Sequence, residues 1–128
     1  MQIVSALFVE SFNLREAPGP STRIDLSGVF FSIAAPGPVP VTLEPHLVAL
    51  VWCPPDESGQ GVFETVFTRG DDEIARNVSP FTVEPGKFTY RLVRGELEFK
   101  TYGTLEVHCR LVPDERVTTV PLTLLPPA

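Results

Sequence analysis

The sequence predicts an all-β chain, an antiparallel two-sheet β-sandwich of seven or eight strands with Ig-like architecture. Three observations predict it. Apolar and polar residues alternate with period two over several segments, as in Leu105, Val107, Cys109 and Leu111 against Glu106, His108 and Arg110. Fourteen prolines punctuate the 128 residues, and few stretches could hold three helical turns without meeting a proline or glycine. The hydrophobic share of 43% and charged share of 20% are those of a chain that buries a core, and the length suits one domain, residues 1–128.

Taken in order, the first strands are expected near Gln2–Asn13, Arg23–Ala34 and His46–Cys53. Gly28 marks a bulge or a close backbone approach inside the second. The Pro/Gly-dense Ala35–Pro40 is a stiff connection to the third. Val62–Arg69 reads as a strand ended by Gly70-Asp71-Asp72. Phe88, Tyr90 and Leu92 alternate with Lys87, Thr89 and Arg91, and Leu97 and Phe99 with Glu96, Glu98 and Lys100. Tyr102-Gly103 then turns the chain into Thr104–Val112, and Val117–Leu125 closes it. Pro80 and Pro121 interrupt strand-like text and imply edges or bulges. The expected core comprises Phe31, Ile33, Leu47, Ala49, Val51, Phe63, Phe67, Tyr90, Phe99, Leu105, Val107, Cys109 and Leu111.

The first three strands do not alternate cleanly. In the third, Leu47, Ala49, Val51 and Cys53 point one way and Val48, Leu50 and Trp52 the other, so both faces are apolar. A sheet with one inner face needs something over the other. The cover is either a loop or the proline-rich tail, or a subunit or partner interface centred on Trp52 with Val48, Leu50 and Phe30, since aromatic anchors are enriched at interface centres.

At Leu26-Ser27-Gly28-Val29-Phe30-Phe31-Ser32-Ile33 the chain resembles an uncharacterised bacterial family of small all-β proteins. The apolar strand His46–Cys53, the Tyr102-Gly103 turn, the alternating Leu105–Leu111 and the ending Val120-Pro121-Leu122 extend the resemblance over most of the chain. It implies a β-sandwich and transfers no catalytic or ligand residue.

Several chemistries are set aside. A net charge of −6 with scattered Arg and Lys does not suit nucleic acid or an anionic membrane, and no apolar run approaches the roughly 18 residues that span a bilayer. The apolar N-terminus lacks a positive n-region, so a cytoplasmic protein with reduced Cys53 and Cys109 is expected, the alternative being a disulfide between the sheets. His108 and Cys109 lie on opposite faces of one strand, which forbids a dyad between them, and with no nucleophile elbow the chain is read as a non-enzyme without cofactors. The two histidines and two cysteines have no zinc spacing. Arg69-Gly70-Asp71 reads as turn chemistry at a hairpin tip, and neither it nor the sequon Asn77-Val78-Ser79 has a secretory context.

Two functions remain. One is an interaction or assembly module using the apolar sheet face for a protein partner or a homo-oligomer. The other is an ion- or small-ligand-binding sandwich, with Asp56, Glu57, Glu84, Asp114 and Glu115 gathered at one end as calcium ligands.

Overall fold

The computed structural model describes residues 1–19 and 21–128. Among these there are eleven strands, no helix, and no sheet closed into a barrel. The strands are β1 (Gln2–Ala17), β2 (Ser21–Phe30), β3 (Ser32–Ala34), β4 (Val41–Leu43), β5 (His46–Trp52), β6 (Gln60–Arg69), β7 (Asp72–Thr82), β8 (Phe88–Arg94), β9 (Leu97–Phe99), β10 (Gly103–Val112) and β11 (Thr118–Leu125). Eight have seven or more residues. The three-residue strands β3, β4 and β9 take the number beyond the expected seven or eight.

A first sheet has the order β2-β1-β5-β8, a second β3-β11-β10-β6-β7, and a small third pairs β4 with β9. The pairing is antiparallel except between β3 and β11, which run parallel, a correction to the all-antiparallel expectation. Phe31 is the reason. There the chain leaves the first sheet and joins the second, so β3 arrives beside β11 from a crossover rather than a hairpin.

The core draws on both large sheets. Phe8, Leu47, Ala49 and Val51 come from the first, and Phe63, Phe67, Leu105, Val107, Cys109, Leu111, Leu122 and Leu124 from the second. Leu97 and Phe99 of β9 close the end near His46, with Val41 and Leu43 of β4 packed against the cluster. This end is called the cap end. The opposite one, at Trp52, is the loop end.

Three expected core residues lie elsewhere. Phe31 is 49% exposed and Ile33 is exposed, whereas Phe30 packs on the core with its ring 6.0 Å from that of Phe8. The chain changes sheets at Phe31, so residues on either side of it do not share one strand's alternation of faces. Tyr90 is half-buried and outside the core cluster, because the apolar face of β8 (Phe88, Tyr90, Leu92) lies with Val48 and Leu50, on the far side of the first sheet. The inward side of β8 carries Val93 and Arg91, whose guanidinium donates to the Ser79 hydroxyl of β7 at 2.9 Å.

The prolines sit where a lost donor is tolerated. Pro80 is on the edge strand β7. Pro121 is on β11 at a position where β3, paired only with Thr123–Leu125, leaves one side open.

Candidate interaction surface

The outer face of the first sheet is built from Leu7 and Val9 of β1, Val48, Leu50 and Trp52 of β5, and Phe88, Tyr90 and Leu92 of β8, matched across the register. Its cover follows from the length of β1. Sixteen residues extend about 50 Å, roughly twice the seven of β5. Only Gln2–Val9 pair with β5; from Glu10 to Ala17 the strand pairs with β2 alone.

This distal hairpin folds back over the sheet. The Phe12 ring lies 5.4 Å from that of Tyr90, two strands away and level with Leu50. Ser21, Thr22 and Arg23, near the hairpin tip, line a cleft with Trp52, Gly86, Lys87 and Phe88. Had β1 run straight on past Val9, both sites would lie more than about 20 Å apart from their neighbours here.

Gly28 stands between the pairs Val9↔Val29 and Ser11↔Ser27, where β1 parts from β5. Its φ of 66° is open to glycine at no steric cost, and a Cβ there would meet the Glu10 side chain at 2.6 Å. What crowds Gly28 is the Glu10 side chain, not the backbone approach or bulge expected from the sequence.

The hairpin is two-faced as a cover must be. Phe12 pairs with Leu26 and Leu14 with Ile24 on one face; Asn13 with Asp25 and Arg15 with Arg23 occupy the other. On that polar face Arg15 Nε donates to Asp25 Oδ2 at 2.8 Å. Val48 is 1% exposed beneath the hairpin.

The four interface candidates thus separate. Val48 is sealed by the chain itself; Phe30 packs on the core at the cap end and is half-buried, as is Leu50. Trp52 remains 41% exposed at the loop end. The cover is neither a loop nor the proline-rich tail. It is the chain's first hairpin, and it stops short of Trp52.

The cleft left there has a volume of about 290 Å³. Its walls are aromatic (Trp52, Phe88) and its rim carries Arg23 and Lys87. Arg23 Nη1 donates to the Ser21 hydroxyl at 2.9 Å, and among the described residues no carboxylate pairs with it. Lys87 pairs with Glu84 at 2.9 Å. Sequence reasoning missed Arg23, Lys87 and Phe88 as neighbours of Trp52. Only the register Trp52↔Phe88 and the fold-back bring them together, and neither is local in sequence.

The acidic loops do meet at the loop end, where Glu57 and Asp114 line one hollow and the Glu84 loop bonds to Cys53 and Gly59 through Gly86 and Val83. Three of the five carboxylates have a cation of their own. Glu57 takes the Met1 amine, Glu84 takes Lys87, and Asp114 takes Arg116 at 2.6 Å. The Arg116 side chain and backbone N–H hold the Asp114 carboxyl down to about 2. Asp56 and Glu115 are not in an ion pair among the described residues. No group of three or more His, Cys, Asp or Glu side chains that could hold a metal forms among them, so the five proposed calcium ligands are not assembled as a site.

The remaining motifs have these places in the fold. Cys53 and Cys109 are buried and unpaired, and burial pushes the Cys109 thiol up to about 12, far from a reactive thiolate. His108, on the opposite face from Cys109, is clasped between Thr68 (2.9 Å) and Thr119 (3.1 Å). Arg69 donates to the Thr101 carbonyl at 2.9 Å and to that of Tyr102, so the Arg-Gly-Asp guanidinium is held against the next turn. Asn77 lies within β7. No helix among the described residues is long and apolar enough to cross a membrane.

Comparison with protein-family models and with curated proteins gave no match to this chain.

Proposed function

We propose that this chain is a non-enzymatic interaction module that contacts a protein partner or further copies of itself at the Trp52 end of its first sheet. The observation that carries the reading is a contrast within one strand face. Val48 is sealed by the hairpin, while Trp52, four residues further along, keeps 41% of its surface in solvent beside a second aromatic. Large exposed aromatics with an arginine nearby are the composition of interface centres. A cytoplasmic setting is in keeping with two unpaired thiols. In this reading the two large sheets are the layers of a β-sandwich, Ig-like in architecture, with the hairpin as an added third layer, and the likeness to small bacterial all-β proteins extends to that architecture alone.

Size-exclusion chromatography with light scattering tests it. The wild type is expected to run as an oligomer, or to gain mass with its partner. Trp52→Asp should abolish the association while circular dichroism shows an unchanged β fold. A monomer whose Trp52 emission is that of a fully buried indole, or a Trp52→Asp variant that simply unfolds, contradicts the proposal.

A further inference from the structure

The two ends of the molecule carry complementary surfaces. At the loop end the cleft is aromatic with a cationic rim, Trp52 and Phe88 beside Arg23 and Lys87. At the cap end, about 20 Å away along β5, a hollow of about 280 Å³ has apolar walls that include Phe30, Ile33 and Leu43, with Glu10 and Glu44 among its lining. Neither glutamate is in an ion pair among the described residues, in contrast to Glu57, Glu64, Glu73 and Glu84. Arg94 stands opposite His46 in the register at this end but does not line the hollow. Next to Phe30, Phe31 projects with 49% of its surface exposed, at the crossover between the sheets.

Resting on the interaction reading above, we propose that the partner is a second copy arranged head to tail: Phe31 of one copy enters the Trp52–Phe88 cleft of the next, with Glu10 and Glu44 opposite Arg23 and Lys87. The argument is one of charge and shape. The lining of the Trp52 cleft includes Arg23 and Lys87 and no carboxylate, Lys87 holding Glu84 beside it, whereas the cap-end hollow carries Glu10 and Glu44, which a two-fold contact between cap ends would set against each other. Only the unlike ends offer an exposed aromatic to an aromatic cleft with opposite charges around both. A contact of this heterologous kind does not close on itself in pairs, so copies add in series.

The geometry has a direct test in complementation between two blocked variants. Arg23→Glu/Lys87→Glu closes the loop end to its partner, and Phe31→Glu closes the cap end; all three positions are exposed, and circular dichroism verifies that both variants fold. Light scattering over rising concentration should show the wild type passing beyond the mass of two chains. Each variant alone should stay at one chain, and an equimolar mixture should stop at two, through the one intact pair of ends. A wild type that stays at one chain overturns this arrangement and self-assembly together. A wild type that associates regardless of Phe31→Glu, or halts at a closed pair, overturns the head-to-tail contact and leaves the interaction at Trp52 standing. Variants that remain single when mixed overturn it as well.

Discussion

The outer faces of the two large sheets solve the same problem in opposite ways. That of the second sheet is polar and left open to water. Glu64 accepts from Arg110 Nε at 2.7 Å and from Arg76 Nη1 at 2.9 Å, and His108 bridges Thr68 and Thr119. The outer face of the first sheet is apolar from Leu7 to Leu92 and is covered by a hairpin made from the same strand that builds the sheet. A face can be solvated by its own charges or hidden by its own chain. Only where hiding is incomplete, at Trp52, is surface left for something else.

Substitution by aspartate should separate the two faces most sharply. Val48→Asp places an unpaired charge beneath the hairpin and is expected to destabilise by about 3 kcal/mol or more. Val78→Asp, at an exposed position on the edge of the second sheet, should change stability by no more than about 0.5 kcal/mol. Urea denaturation of both variants checks the contrast.

Gly28 comes next. Gly28→Ala asks alanine to hold φ near 66° and to displace the Glu10 side chain. A cost of about 1–2 kcal/mol is expected, along with a rise in acrylamide quenching of Trp52 as the hairpin lifts.

Within the core, Thr65 of β6 is fully buried and its hydroxyl has no hydrogen-bond partner among the described residues. Thr65→Val should stabilise the chain by about 1 kcal/mol, raising the urea midpoint.

The smallest effect belongs to the solvated face. The hydrogen bond from Arg110, with the charges of Arg110 and Arg76, holds the Glu64 carboxyl below its ordinary value. A carboxyl depressed in the folded state adds stability above its unfolded pKa and loses it as pH falls through the folded one. The difference between wild type and Glu64→Gln should therefore be present at neutral pH, stay under about 1 kcal/mol because the network is surface-screened, and vanish on acidification below the usual glutamate range. Melting temperatures between neutral pH and strong acid read it directly.

Much of the fold is legible in the residues, and what is not has physical reasons. Thr104–Val112 alternates because one side meets the core and the other water, so its span and faces match β10 closely. The two apolar faces of His46–Trp52 correctly imply a cover. That cover was hidden in text that reads as ordinary strand. Phe12, Ile24 and Leu26 are half-buried and Leu14 is exposed, a pattern that does not announce a cover; the fold-back is marked by the tertiary contact of Phe12 with Tyr90. Asp72–Thr82 is not legible as a strand, because Glu73-Ile74-Ala75-Arg76-Asn77-Val78 keeps no period of two; as an edge strand, β7 is held by pairing to β6 more than by a buried face. Of the candidate surface, Trp52 was readable as an exposed aromatic on an apolar strand. Its neighbours Arg23, Lys87 and Phe88 come from segments whose adjacency no local pattern encodes.

The hairpin's position over the first sheet is what separates Val48 from Trp52, and the ring protons of Phe12 and Tyr90 report it most directly. With ring centres 5.4 Å apart, nuclear Overhauser contacts between the two rings are expected in the monomeric Trp52→Asp variant as well as in the wild type. Their absence from the folded monomer, with the Val48 methyl groups accessible to a soluble paramagnetic probe, would show the hairpin standing away from the sheet and contradict the account.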